Sequence, residues 1–253
     1  MKDQKTMAYI NLYAIFGALE NLCELDDDAK ALLANKKPIS IGIEVKGGPG
    51  ATLTFKNSKC RLDDGCKKDC DVKLPFSSCE KFNGLFEGTT TPLPSKGFTK
   101  IKFLLKVFLP LTDILTKYLR PTEEDMKNPE FFKKSTLLTL NVVAVAIAQI
   151  GNQDEIGRFS ASQMMDGDVK MGIKDELYVT LRVRNHRLVA IKKAPESPRA
   201  LMEFGSLELA AKLFAGKINA LDCIGKGDIV MGGMISIIDN INRILDRVGL
   251  YLA

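Results

Sequence analysis

Phe76-Ser77-Ser78-Cys79-Glu80 returns later in the chain as Phe204-Gly205-Ser206-Leu207-Glu208, an offset of 128. The offset runs without a gap from Phe76 to Ile101, where Leu85-Phe86 matches Leu213-Phe214, Gly88 matches Gly216 and Leu93 matches Leu221. Gly97 then matches Gly225 and Ile101 matches Ile229, which with Phe76, Ser78 and Glu80 makes nine identities in 26 positions. Chance gives roughly one or two at ordinary residue frequencies. Upstream, Thr52-Leu53 matches Thr180-Leu181 and Asn57 matches Asn185 at the same offset. Further upstream the offset becomes 130, pairing Gly42-Ile43 with Gly172-Ile173, and Asn11 and Ala14 with Asn141 and Ala144. That change implies two extra residues in the first copy, near Gly47-Gly48-Pro49-Gly50, and insertions belong in turns.

The chain therefore reads as two copies of one domain, 1–120 and 135–253, with a linker at 121–134. The polar run Arg120-Pro121-Thr122-Glu123-Glu124-Asp125 supports that boundary, because its proline ends an apolar segment. With 45% apolar and 26% charged residues, the composition is that of an ordinary globular protein. The net charge of +5 comes from 36 basic and 31 acidic side chains mixed along the chain. Such a balance weakly favours an anionic membrane surface and does not mark a nucleic-acid partner, since the cations lack interleaved aromatics. The start, Met1-Lys2-Asp3-Gln4-Lys5, has no secretory h-region after it, and the longest apolar run, Val142 to Ile150, is too short to span a bilayer. A cytoplasmic protein with six reduced thiols is expected.

Each copy opens with a helix-like apolar stretch, Tyr9 to Leu25 and Leu137 to Ile150. In the second copy strands are expected at Val169 to Ile173, Tyr178 to Arg184 and Arg187 to Ile191, with Asn185-His186 as a hairpin turn. Asn57-Ser58 takes that place in the first copy. A helix from Phe204 to Ala215 should end at Gly216, and Ile224 to Met234 should form a last strand. Met234, Ile237, Ile238, Ile241, Ile244, Leu245 and Val248 recur at helical spacing, as expected of a closing amphipathic helix. The fold class is α+β, with helices packed against a mostly antiparallel sheet in each copy.

Phe214-Ala215-Gly216-Lys217, followed by Gly225-Lys226-Gly227-Asp228-Ile229-Val230-Met231-Gly232-Gly233-Met234, resembles the sterol carrier protein 2 superfamily of nonspecific lipid-transfer domains. The first copy keeps Phe86-Glu87-Gly88 and Gly97 to Phe103, loses the second glycine around Leu104-Leu105, and carries Pro110 inside the expected closing helix. The resemblance implies a five-stranded sheet in each copy, covered on one face by helices, with an apolar cavity between the layers for a lipid, fatty-acyl or other apolar ligand. The residues placed there are Met202, Phe204, Leu209, Leu213, Phe214, Met231, Met234, Ile237, Ile238 and Ile241 in the second copy, and Phe82, Phe86, Phe103 and Val107 in the first. Met202, Met231 and Met234 suit a pliable cavity wall; the plain alternative is that they fill a dry core. The same alternative weighs more in the first copy, whose motif is degraded.

No catalytic constellation stands out. The sole histidine, His186, sits in a turn, and neither Gly47-Gly48-Pro49-Gly50 nor Gly225 to Asp228 has the spacing of a phosphate loop. Cys66 and Cys70 lie in a charged loop and read as exposed thiols. Cys60 and Cys79, which face Leu188 and Leu207 across the repeat, read as small buried hydrophobes, and no zinc set is formed. Asp26-Asp27-Asp28 caps a helix at Ala29 rather than building a calcium loop. The expected function is non-enzymatic ligand binding without metal or cofactor. A structural module of two filled repeats and a redox protein acting through Cys66 and Cys70 are the alternatives. A homodimer is compatible with the sequence.

Overall fold

The computed structural model describes residues 2–218 and 220–252. The chain divides into two compact units, Asp3–Lys134 and Ser135–Ala253. In the first unit, α1 (Gln4–Tyr9), a π-helical stretch (Ile10–Phe16) and α2 (Ala18–Leu25) lead into α3 (Asp27–Leu33). Strands β1 (Ile39–Val45), β2 (Gly50–Lys56), β3 (Lys59–Asp64) and β4 (Val72–Phe76) follow, then α4 (Cys79–Phe86). A 3₁₀ turn (Phe98–Lys100), α5 (Ile101–Phe103), a second π-helical stretch (Leu104–Phe108) and α6 (Leu109–Leu119) complete the unit's main elements. The stretch 121–134 holds a 3₁₀ turn, Asp125–Lys127, and the start of α7 (Pro129–Gln153). The second unit continues with α8 (Glu155–Ser162), β5 (Gly167–Ile173), β6 (Leu177–Arg184), β7 (Arg187–Ile191), β8 (Ala200–Phe204), α9 (Leu207–Phe214), α10 (Ala220–Lys226), β9 (Ile229–Gly233) and α11 (Ile235–Leu252). By length and composition α7 could cross a membrane, but 67% of its apolar window is buried within the protein.

The chain is α+β with two mixed sheets. Their orders are β3-β2-β1-β4 and β7-β6-β5-β8-β9, and in each the pair made by the first strand with the strand before the helix is parallel while the others are antiparallel. The strands alternate as half-buried strands must. Val169, Met171 and Ile173 point inward while Asp168 and Lys170 point out; Ile41 and Ile43 do the same in the first unit. The hairpin turns behave as their sequences predict: Asn57 and Ser58 have φ of 52° and 56°, Asn185 and His186 49° and 61°. Both central residues at positive φ is the twist-matched two-residue hairpin.

Three expectations are corrected. First, strand registers keep one offset of 128 back to β1. Ile41↔Leu53 and Val45↔Phe76 become Val169↔Leu181 and Ile173↔Phe204, so there are no two extra residues at Gly47 to Gly50, and Gly172 corresponds to Glu44 rather than Gly42.

Second, the gap-free match fails after Gly88. Gly97 has φ of 88°, and a Cβ on it would meet Asp71 O at 2.3 Å; Gly233 has φ of 92°, and a Cβ there would meet Arg199 O at 2.2 Å. Asp71 and Arg199 are equivalent at 128, so Gly97 corresponds to Gly233, not Gly225. The span Gly88 to Gly97 is thus eight residues shorter than Gly216 to Gly233 (97 − 88 = 9 against 233 − 216 = 17). The matches of Leu93, Gly97 and Ile101 to Leu221, Gly225 and Ile229 are coincidental; the side chain of Leu221 lies outside the described ones.

Third, the first sheet has four strands instead of five. Its shortened connection leaves no room for counterparts of α10 and β9, and it carries Pro92 and Pro94, which cannot donate to a ladder. One bridge, Lys73↔Lys96, remains where β8 and β9 pair in the second unit. In that unit the expected strand Ile224 to Met234 narrows to β9, because Ile224 to Lys226 end α10 and Gly227 turns at φ of 80°. Strands β4 and β8, absent from the sequence reading, lie just before the helices that begin after Phe76 and Phe204. Pro110 does not break the closing helix. It falls in the first turn of α6, directly after the π-helical stretch, where a missing N–H is tolerated.

Candidate functional site

In the second unit the expected cavity residues come from three elements. Ser206 caps α9, its hydroxyl accepting from Leu209 N at 3.2 Å, and Gly216 ends the turn beyond it at φ of 65°. That fixes which face of α9 meets β8. Ala210 is buried, Leu209, Leu213 and Phe214 are half-buried, and Phe214 packs edge-on against the buried Phe204 at 5.5 Å. Met202 and Met231 are register partners across β8 and β9; Met202 is buried, whereas Met231 is half-buried and accepts from Asn242 Nδ2 at 3.5 Å. From α11, Ile237 and Ile241 are buried, and Ile238 is half-buried; Met234, just before the helix, is half-buried too.

In the first unit the corresponding space holds phenylalanine. Phe16 contacts Phe82, Phe86 and Phe108; Phe55 contacts Phe103 and Phe108; Phe82 also contacts Phe76 and Phe86. Centroid separations of 4.8 to 6.3 Å make one connected set of rings. Val107 is buried beside them on the closing helix, while Phe86 and Phe103 are half-buried. At the constant offset Phe16, Phe55 and Phe82 are replaced by Ala144, Val183 and Ala210, all buried. The second unit therefore supplies much less side-chain volume at three matched core positions, while Phe76 and Phe86 keep their counterparts Phe204 and Phe214.

A matched pair of polar anchors, missed in the sequence, closes each unit. Asp26 caps α3 through Ala29 N at 2.8 Å, and Tyr118, near the end of α6, donates to its other oxygen at 2.7 Å. Asp154 caps α8 through Gly157 N at 3.0 Å and receives Tyr251 Oη and Arg247 Nη2, both at 2.7 Å. Burial pushes the Asp154 carboxyl up, but Arg247, the Gly157 amide and Tyr251 outweigh it and hold it below the ordinary carboxylate value. Asp26 and Asp154 stand 128 apart, so the repeat itself was the signal for the pairing.

Two cavities are described in the second unit. One, of about 560 Å³, lies on the outer sheet face and is polar: Arg182 grips Asp168 with Nε and Nη2 at 2.9 and 2.8 Å, beside Arg184, Lys193, Arg199 and Glu196. The other, about 760 Å³, opens between α9 and α10; Leu209, Ile218 and Cys223 lie among Lys212, Lys217, Lys226, Glu208, Asp222 and Asp228. Of the expected site residues, Leu209 lines it.

The cysteine expectations need revision. Cys60 is buried, as its leucine counterpart implies, but Cys79 is half-buried. Cys70 is buried rather than exposed, and Cys66 is half-buried. Both sulfurs rest on the outer sheet face against Gly42, where a Cβ would stand 2.7 Å from Cys70 Sγ and 2.8 Å from Cys66 Sγ. Burial, then the neighbouring Cys70, pushes the Cys66 thiol up, away from the reactive thiolate. Among the described residues no three His, Cys, Asp or Glu side chains gather as a metal set.

No protein-family profile and no curated protein matches the chain. Among solved structures it is similar to the sterol carrier protein domain 2 of Helicoverpa armigera, at 16% identity and a TM-score of 0.35, over 47% of this chain and 91% of that one. It is also similar to the stereoselective inverting sec-alkylsulfatase Pisa1 from Pseudomonas sp., at 11% identity and a TM-score of 0.25, over 52% of this chain and 30% of that one.

Proposed function

We propose that the chain is a tandem of sterol-carrier-like domains and a non-enzymatic carrier of an apolar ligand, a lipid or fatty-acyl compound, held by the second unit between sheet and helices. The observation that carries this reading is the exchange of Phe16, Phe55 and Phe82 for Ala144, Val183 and Ala210 at matched buried positions. Side chains that fill the first unit are missing from the second, and a ligand tail supplies the same apolar burial. The cavity of about 760 Å³ at Leu209 is the entrance in this reading. Its charged rim suits a polar head. The resemblance of Phe214 to Met234 to the lipid-transfer superfamily points to the same ligand class. The first unit, with its connected rings, is the filled partner.

The test is extraction of natively purified protein with organic solvent and mass spectrometry of the extract, paired with binding of a fluorescent fatty acid. A stoichiometric lipid and saturable binding are expected. Ala210→Phe, which copies Phe82 into the second unit, should abolish binding without lowering the melting temperature, and Met231→Asp should also abolish it. If Ala210→Phe instead destabilises the fold by the ~1–3 kcal/mol of an overpacked core and the wild type takes up no probe, the space is already filled and the reading fails.

A further inference from the structure

The closing helix of the first unit carries a face that its fold does not need. From Gly88 to Thr112 there is no Asp or Glu, and four lysines stand at 96, 100, 102 and 106. All four are exposed, and none forms an ion pair among the described residues. Asp71, which feels the charges of Lys96 and Lys100, is engaged by Ser40 N and Oγ at 2.8 Å. Between the lysines the large apolar side chains point outward: Phe98 is 66% exposed, Ile101 41%, Leu105 59% and Leu109 51%. Their spacing of three, four and four keeps them on one stripe, while Val107, Leu111, Leu115 and Tyr118 face the core.

The second unit is an internal control. Its closing helix α11 buries Ile237, Ile241, Ile244 and Val248 in the same way; its outer row is apolar at the two ends, with Ile235 82% and Leu250 55% exposed, and charged between them at Asp239, Arg243 and Asp246, with Arg243 and Asp239 paired at 3.1 Å. The middle of that row is therefore charged and internally paired, where the first unit has Ile101 and Leu105 beside unpaired lysines. An apolar stripe flanked by lysines that form no ion pair among the described residues matches an interface that is apolar within and anionic at its surface.

We infer that the stripe Phe98–Ile101–Leu105–Leu109, with Lys96, Lys100, Lys102 and Lys106, docks the first unit on an anionic lipid bilayer. The helix lies in the plane of the interface, with leucine and phenylalanine among the acyl chains and the ammonium groups at the lipid phosphates and carboxylates. The inference stands apart from ligand carriage by the second unit, because none of these residues belongs to the proposed ligand site.

The experiment is co-sedimentation of the full-length protein with vesicles of phosphatidylcholine alone and of phosphatidylcholine mixed with phosphatidylserine. Binding is expected to the mixed vesicles, weakening with added salt. Lys102→Gln and Lys106→Gln should each weaken it about fivefold, and the double variant Leu105→Glu, Leu109→Glu should lower it to the level of the neutral vesicles with an unchanged circular dichroism spectrum. Ala210→Phe, which empties the second unit of ligand, should sediment like the wild type, so the two proposals fail separately. Equal binding to both vesicle types, no binding, or a Leu105→Glu, Leu109→Glu variant that binds as well as the wild type overturns the inference. So does a wild-type dimer in sedimentation velocity that this variant dissociates, since the stripe would then belong to a second copy.

Discussion

Asp154 shows how much one side chain can hold in this fold. Its carboxylate caps the start of α8 and ties the last two turns of α11 to it through Tyr251 and Arg247, across 97 and 93 residues of chain. The Asp154 side chain is 5% exposed and that of Arg247 20%, so their interaction is little screened. Tyr251→Phe should cost about 1.5–3 kcal/mol, the range for a hydrogen bond to a charged group. Arg247→Met should cost more, about 3–5 kcal/mol, because a buried carboxylate is left facing no cation. Since the folded protein lowers the Asp154 pKa, the stabilisation is complete above the unfolded value of about 4 and is lost as pH falls through the folded value below it. Urea titrations at neutral pH and under pH 3 check both statements: the penalty of Arg247→Met should shrink at the acid end. In the first unit Tyr118→Phe tests the equivalent bond to Asp26.

At the scale of elements, the two units differ most between α4 or α9 and the closing helix. Gly233 turns the chain from β9 into α11, and Gly97 makes the same turn without a strand before it. A side chain at either position meets a backbone carbonyl, at Arg199 or Asp71, in a conformation only glycine adopts freely. Gly233→Ala and Gly97→Ala should each lose at least the ~1–3 kcal/mol of stored backbone strain, measurable as a lowered midpoint in chemical unfolding. If Gly97→Ala is neutral while Gly233→Ala is not, the two glycines are not equivalent and the revised alignment falls. This turn also marks where sequence reading stopped working. Periodicity located β5, β6, β7, both hairpin turns and α11, because alternation and three-four spacing are local and hold wherever one face is buried. It missed β4 and β8, five-residue strands that run into a capped helix within two residues and are joined to β1 and β5 only by parallel pairing, a long-range relation that leaves no local mark. It also accepted Gly97 against Gly225, because identical glycines at one offset look alike whether or not they make the same turn. Of the candidate site, the burial of side chains such as Met202, Phe204 and Ile241 was legible from the pattern. It was not legible in the size contrast of Phe82 and Ala210, which needed the register.

Over the whole chain, one pattern of strands and caps is carried by two cores of different content. The first brings seven phenylalanine rings into contact, four of them, Phe16, Phe55, Phe76 and Phe82, buried. The second keeps Phe204 and Phe214 and sets Ala144, Val183 and Ala210 at the positions of Phe16, Phe55 and Phe82. If that contrast governs binding, capacity is one apolar ligand per chain rather than two. Native mass spectrometry of protein saturated with a fatty acid should then show a single adduct at full occupancy. Ala210→Phe should remove it, and Phe82→Ala should add a weaker second one at a cost of about 3–5 kcal/mol to the first unit, the usual range for emptying an aromatic from a core. Two adducts on the wild type would mean that the rings move apart for a ligand, and that core volume does not decide which unit binds.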